Sequence, residues 1–182
     1  MGVSYEGSKF CSTNFSWDDL IGCSETFKSS SIANVPKQPI TYDELRRLSE
    51  AILEPVLAQF GSIKLTYCFS SPELARLIPK NIAPAIDQHA GHELNNAGKL
   101  ICKRGGAAAD FFVEGTSTYE VANFVIDYLD FDSLYYYGTD SPLHVSVASE
   151  PRKNIVLMNF NNTLGKRMPA RITDAKFKSL YG

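Results

Sequence analysis

Residues 134–147 read LYYYGTDSPLHVSV, and this stretch decides the fold. Two runs rich in aromatic and β-branched residues, 134–137 and 143–147, flank a Gly-Thr-Asp-Ser-Pro turn, and this pattern is typical of an antiparallel hairpin. Further short runs of the same character lie on either side of it. The strands predicted in this way lie near 63–69, 109–113, 133–137, 143–148 and 155–160. They predict one small, mostly antiparallel sheet.

Two longer segments are predicted as helices that pack on this sheet. Segments 42–59 and 117–129 carry apolar residues at helical spacing. Each starts with a capping box, at 41–44 and at 117–120, in which a hydroxyl and a glutamate satisfy each other's backbone amides. Pro55 lies inside the first helix and should kink it. Helices beside a mostly antiparallel sheet give the fold class α+β.

Composition limits the functions that the chain can have. With 182 residues, 44% hydrophobic residues and a net charge of −2, the sequence predicts one globular domain. Without a basic field, nucleic acid is not an expected partner. No apolar run is long enough to cross a membrane and no signal peptide is evident. We therefore expect a protein that is cytoplasmic or released by a route other than a signal peptide, with no membrane partner. The four cysteines form no C-x-x-C pair and are expected to be free thiols.

The chain is expected to have three parts. Residues 1–14 lack periodicity and predict a loose N-terminal arm. Residues 15–160 would form the domain itself. Residues 161–182 are polar and carry five Lys and Arg residues, which predicts a solvated C-terminal tail.

The three histidines indicate a metal site. His89 and His92 lie close together in a polar loop, and His144 lies in the predicted strand 143–148. Asp110 opens another predicted strand, where an ionised carboxylate needs a metal or a hydrogen-bonding partner. Two imidazoles and one carboxylate would make a three-ligand zinc site with an open position, as catalytic zinc requires.

Other roles for these residues remain open at this stage. His144 fits a half-buried strand histidine that binds a backbone carbonyl. Asp110 fits an ion pair with Lys103 or Arg104. Either histidine of the 87–93 loop could be the second imidazole ligand, and either could simply be solvated.

A zinc hydrolase also needs a base, and two carboxylates are candidates. Asp140 precedes His144 by four residues, and Glu93 lies beside the histidine pair. The turn at 138–142 interrupts the strand, so Asp140 equally fits a turn residue.

Five short motifs occur along the chain in an order that is familiar from one family. They are Phe-x-x-x-x-Leu at 15–20, Leu-Glu-Pro at 53–55, a strand ending Ser-Ser-Pro-Glu-Leu at 66–74, Asp-Gln-His at 87–89 with Gly-x-x-x-Asp at 106–110, and Pro-Leu-His-Val-Ser at 142–146. Together they resemble the zinc D-alanyl-D-alanine carboxypeptidases, which include phage endolysin peptidases and share their fold with the hedgehog signalling domain. The resemblance covers roughly residues 15–160.

The resemblance implies a specific set of ligands and a specific activity. The zinc ligands of that family correspond to His89, Asp110 and His144. The fold would be hedgehog-like, the cofactor zinc, and the substrate a small peptide or another amide. The implied alternative is a catalytically degenerate member that serves as a binding or structural module, for instance in a phage-related assembly.

The sequence departs from the family pattern in the spacing of two ligand positions and in the residues that bind the substrate and catalyse the reaction. His89 and Asp110 are 21 positions apart instead of seven, so 14 extra residues must loop out. The family's substrate-binding arginine is Ser70 here, and its catalytic glutamate has no counterpart. Lys103 or Arg104 could take over the binding of a substrate carboxylate, although both also fit a solvated loop.

Overall fold

The computed structural model describes residues 2–78 and 83–180, which form an α+β domain around one sheet of six strands. The strands are β1 (Lys64–Tyr67), β2 (Ala107–Phe112), β3 (Ser133–Tyr136), β4 (Leu143–Val147), β5 (Asn154–Asn161) and β6 (Lys166–Ile172). The helices are α1 (Trp17–Gly22), α2 (Glu25–Lys28), α3 (Pro39–Leu48), α4 (Glu54–Phe60), α5 (Pro72–Ala75), α6 (Thr118–Tyr128) and α7 (Asp174–Lys178). In the described ranges, no helix has the length and apolar character needed to cross a membrane.

The sheet has the order β1-β2-β4-β3-β5-β6. Neighbouring strands are antiparallel except for β3 and β5, which are parallel. The predicted α+β class and mostly antiparallel sheet are therefore confirmed. All five predicted strands are present within a few residues of their expected ends.

The two faces of the sheet differ in what covers them. Helices α3 and α6 contact the central strands β2, β3 and β4. The strand residues that join the helices in the hydrophobic core include Phe111, Leu134 and Val145, each no more than 1% exposed. Because side chains alternate along a strand, Asp110 and His144 belong to the opposite face. The face that α3 and α6 do not cover therefore carries these two polar side chains.

The predicted helix 42–59 is one helical segment with an interruption. A π-helical turn, Ser49–Leu53, separates α3 from α4. The amide of Glu54 donates to the carbonyl of Ser49, five residues earlier. This shift in hydrogen-bond register occurs immediately before Pro55, which has no amide hydrogen to donate.

The predicted capping box at 41–44 is wrong. Helix α3 begins at Pro39, and its N-cap residue, Gln38, makes no side-chain cap. The carboxylate that satisfies the amides there comes instead from Glu93, which accepts from the N–H groups of Lys37 (3.1 Å) and Gln38 (3.2 Å) and from Thr41 Oγ1 (3.0 Å). The box at 117–120 is confirmed at the start of α6.

The expected loose arm at the N-terminus is packed in the structure. The ring of Tyr5 stacks on that of Tyr42 at 4.1 Å between centroids. The indole nitrogen of Trp17 donates to the carbonyl of Ser8 (3.2 Å), and Cys11 is buried. These contacts depend on residues far apart in sequence, so a local reading of 1–14 missed them.

The expected polar tail also forms part of the domain. Strand β6 pairs along its whole length with β5. Helix α7 follows, and Phe177 packs its fully buried ring against Tyr119 and Tyr136. An edge strand needs little apolar sequence, and one aromatic residue suffices to dock a short helix, so composition alone suggested a tail.

Asp132 is a buried charged residue immediately before β3, and it binds arginines from the segments that precede β2 and β5. Its side chain is fully buried and accepts from the guanidinium groups of Arg104 and Arg152, the closest contacts being 2.6 and 2.7 Å. Burial raises the pKa of Asp132, but hydrogen bonds from the two arginines outweigh it and lower the pKa below its usual range. The ionised carboxylate therefore stabilises the folded state.

Asp132→Asn is expected to lower the free energy of unfolding by about 2–3 kcal/mol at pH 7, because breaking a buried pair leaves its partners uncompensated and both arginines are partly exposed. Since the folded pKa lies below the unfolded value of about 3.9, the contribution is present above that pH and disappears as the pH falls through the folded value. Urea unfolding of both proteins at pH 7 and at decreasing pH tests this. A difference that persists unchanged in acid would contradict it.

Candidate metal centre

Three side chains converge on the sheet face that the helices leave free. His144 Nδ1 lies 2.7 Å from Asp110 Oδ1, and His89 Nε2 lies 3.4 Å from the same oxygen. One ligand atom from each residue lies within 4.8 Å of the others. His89, Asp110 and His144 are the three ligands expected from the sequence, and together they could hold a metal ion.

The strand register brings two of the three together. Asp110 on β2 lies directly opposite His144 on β4. Tyr67 on β1 pairs with Asp110, and Tyr135 on β3 pairs with His144. Directly paired residues share a face of the sheet, so these four side chains form one row across four strands.

His89 reaches the cluster from the segment that joins β1 to β2. His89 lies in the 3-10 turn Gln88–Ala90, and its carbonyl accepts from the amide of Ser70 (2.9 Å). Gln88 Nε2 donates to the carbonyls of Gly105 (2.9 Å) and Val147 (3.2 Å), which fixes the turn against the end of β4. Residues 91–106 then connect this turn to the start of β2.

Gly106 marks the point of return and accepts no larger residue. Its φ of 81° is in the left-handed region, and a Cβ atom there would lie 1.9 Å from the carbonyl oxygen of Val147. Its amide donates to His92 Nε2 (3.0 Å). His92 therefore closes the base of the loop, and of the two histidines it is His89 that lies with Asp110 and His144.

A backbone carbonyl orients the ring of His89. His89 Nδ1 lies 2.7 Å from the carbonyl oxygen of Cys68. Because a carbonyl only accepts, Nδ1 carries a hydrogen and the lone pair of the neutral ring is on Nε2, the atom that faces Asp110. Such an outer hydrogen bond is the usual support of a metal-binding histidine.

The charges of the cluster compensate one another. Burial lowers the pKa of His89, but the negative charges of Asp110 and Asp87 raise it to about 9. Burial raises the pKa of Asp110, but His89 and His144 lower it far below its usual range. Without a metal, the carboxylate is ionised and His89 carries a proton at neutral pH, so a cation that binds here displaces a proton.

One of the donor separations fits a tetrahedral metal. Zinc–nitrogen and zinc–oxygen bonds of about 2.0–2.2 Å place neighbouring donor atoms roughly 3.3–3.5 Å apart. The separation between His89 and Asp110, 3.4 Å, matches this value, whereas the 2.7 Å between His144 and Asp110 is that of a hydrogen bond. The side chain of Asp110 is 28% exposed, so one side of the cluster remains open.

Aromatic rings surround the cluster and were not singled out from the sequence. The ring of Tyr67 lies 4.2 Å from that of His89, and the ring of Tyr135 lies edge-on to His144 at 4.9 Å. Burial raises the pKa of Tyr135, and it raises that of Tyr137 to about 12. Their hydroxyls remain protonated donors at neutral pH. The signal was available, since 135 and 137 alternate on the strand that pairs with His144.

Asp87 has a role in positioning His89 that was not predicted from the sequence. Its Oδ1 accepts from the amide of His89 (3.1 Å) and caps the 3-10 turn that carries this ligand. An acidic residue two positions before a histidine in a turn is the available signal, because aspartate often binds its own backbone two residues on.

Neither predicted base lies with the ligands. Glu93 is 2% exposed and its carboxylate is occupied at the start of α3, so it is a structural residue. Asp140 is exposed in the turn before β4, in line with the turn reading. In the described part of the chain, no hydrogen bond joins Asp140 or Glu93 to the three ligands.

The expected substrate-binding side chains are engaged in other contacts or lie in an exposed loop. Ser70 is 2% exposed, and its hydroxyl contacts the carbonyl of Ser71 (3.4 Å). Arg104 binds Asp132, as described above. Lys103 is exposed in the returning loop. The sequence predicted the three side chains that cluster here, but not the contacts made by the residues expected to hold a substrate.

The ligand cluster is the one such group found. Across the described ranges, only His89, Asp110 and His144 bring three potential metal ligands together. Comparisons of the chain with protein-family profiles, curated proteins and solved structures found no match. What the chain does chemically is therefore inferred from these side chains and their surroundings.

Glu93→Ala is expected to lower the free energy of unfolding by about 3 kcal/mol, because it leaves two amide donors and a hydroxyl without their buried acceptor. Asp140→Asn, the matched change at the other predicted base, should change it by less than about 0.5 kcal/mol because the side chain is exposed. Thermal or urea unfolding distinguishes the two. Equal effects would contradict the structural role of Glu93.

Proposed function

We propose that the chain binds one zinc ion through His89 Nε2, Asp110 Oδ1 and His144 Nδ1 and uses it to hydrolyse an amide bond. The observation that carries the proposal is the convergence of two imidazoles and one carboxylate around a partly open position. Two nitrogen donors and one oxygen donor suit zinc, and catalytic zinc sites usually have three protein ligands and one open position.

The chemistry of this site would be that of a zinc peptidase. When bound, zinc supplies a Lewis acid that polarises a carbonyl oxygen and makes water nucleophilic near neutral pH. The substrate class in this proposal is a small peptide or a related amide. The resemblance to peptidoglycan carboxypeptidases, with their hedgehog-like fold, supports this class.

The chain's own residues would position the ligands and the substrate. Cys68 directs the Nε2 atom of His89 towards Asp110 through its carbonyl. The rings of Tyr67 and Tyr135 restrict the two histidines from either side. The protonated hydroxyls of Tyr135 and Tyr137 are suited to donate hydrogen bonds to substrate oxygens.

A second function, a metal-binding module without hydrolysis, is favoured by one observation. Within the described residues, the carboxylates expected to act as a base are either exposed in a turn or occupied at a helix start. A positioned base commonly contributes about 10²–10⁴-fold to the rate. The degenerate binding or structural role, for instance in a phage-related assembly, therefore remains the alternative proposal.

The purified protein is expected to contain one zinc ion per chain. Asp110→Ala and His144→Ala should each lower the affinity for zinc at least about 100-fold, so that the purified variants contain no zinc. His92→Gln is the matched control, because it changes a neighbouring histidine and retains an acceptor for the amide of Gly106. Elemental analysis and competition with a chromogenic chelator measure the metal. A wild-type protein that binds no zinc, or variants that retain it, would refute the site.

Turnover then separates the two functions. The zinc protein is incubated with N-acyl-D-alanyl-D-alanine and with a panel of short peptides, and new amines are detected. Hydrolysis that is lost in Asp110→Ala and kept in His92→Gln supports the peptidase. Stoichiometric zinc without any turnover supports the binding module.

Asp87→Ala is expected to weaken zinc binding about tenfold, because it removes the cap that orients the turn of His89. Asp87→Asn retains the cap, so its effect should be smaller and reports the loss of charge alone. Chelator competition gives both affinities. If the two variants lose the same affinity, the charge of Asp87 and not its hydrogen bond to His89 is what matters.

A further inference from the structure

One guanidinium stands on the same row of the sheet as the metal ligands. The row that starts with Asp110 and His144 continues through Tyr135 to Val156 on β5 and to Arg171 on β6. Directly paired residues share a face, so Arg171 lies on the face that carries the ligands.

Arg171 is the arginine near the site that the fold does not use. Arg104 and Arg152 are both bound to Asp132. The guanidinium of Arg167 donates to two backbone carbonyls, at 3.1 and 2.8 Å. Arg171 is exposed and, within the described ranges, makes no hydrogen bond or ion pair. Its positive charge is nevertheless close enough to lower the pKa of Tyr135, against the rise that burial causes.

The spacing of the row sets the size of a ligand that could reach both ends. Three strand steps separate His144 from Arg171, which corresponds to about 14 Å between backbones at roughly 4.8 Å a step. An extended segment of about three or four residues spans this distance. Tyr135 and Val156 lie between the two ends of the row; Tyr135 is partly exposed, whereas Val156 is buried.

We propose that Arg171 binds a carboxylate of the substrate, placed a few residues from the amide bond that lies at the zinc ligands. The inference rests on the proposed zinc site. A guanidinium recognises a carboxylate through two parallel hydrogen bonds, which fixes direction as well as charge. Arg171 thus supplies a cation at the β6 end of the row, and the substrate is an acidic peptide.

Hydroxamates that carry a carboxylate at a variable distance test this with binding alone. The zinc-loaded protein is titrated by calorimetry with acetohydroxamate, which has no carboxylate. It is also titrated with the monohydroxamic acids of adipic, suberic and sebacic acid, and each of these three is compared with its own methyl ester. For at least one length, the free acid should bind about tenfold tighter than its ester, as expected for a hydrogen bond to a charged group. That gain should vanish in Arg171→Ala and Arg171→Gln.

The controls separate the two proposals. Acetohydroxamate should bind Arg171→Ala and Arg171→Gln as it binds wild type, since neither change touches the ligands. Lys176→Ala removes one exposed positive charge from α7 and should keep the carboxylate gain. A gain that is absent at every length, or that survives in both Arg171 variants, overturns the role of Arg171 and leaves the zinc site intact. Failure of the zinc-loaded wild type to bind acetohydroxamate shows that the zinc has no open position and overturns the proposed hydrolysis and the inference with it.

Discussion

The contact on which the site depends is the pairing of Asp110 with His144 across β2 and β4, 2.7 Å apart. An ionised carboxylate on a sheet needs compensation, and here it comes from imidazoles instead of from lysine or arginine. The register of the sheet is therefore a chemical constraint as well as a structural one. A slip of one residue in either strand would move its own side chain, Asp110 or His144, to the helix-covered face and remove the site.

Much of the sheet followed from the sequence because period-two alternation and turn residues are local signals. The three clustered side chains were also predicted, from the positions of the histidines and from the family resemblance. The hairpin pattern placed His144 in a strand, but the pairing of that strand with the one that carries Asp110 was not predicted. His89 was harder to place, because its position depends on how residues 90–105 fold back. That is decided by Gln88, His92 and Gly106, whose contacts join residues distant in sequence.

The two capping boxes show why an identical local pattern succeeds once and fails once. At 117–120 the serine and glutamate bind each other as the motif predicts. At 41–44 the threonine is taken by Glu93, a buried carboxylate 52 residues further along the chain. The same contact removes Glu93 from the list of bases. A tertiary hydrogen bond thus changed both a helix boundary and a functional assignment, and no short-range pattern could have signalled it.

Strand β6 has a further consequence for the behaviour of the chain in solution. It forms one border of the sheet and presents backbone groups that could pair with another molecule. Pro169 lies in its middle and cannot donate a hydrogen bond, and Lys166, Arg167 and Arg171 place positive charge along it. At the opposite border, β1 has only four residues and an irregular register. Both edge strands are therefore poor partners for a strand of another molecule. This disfavours aggregation by addition of strands at either edge of the sheet.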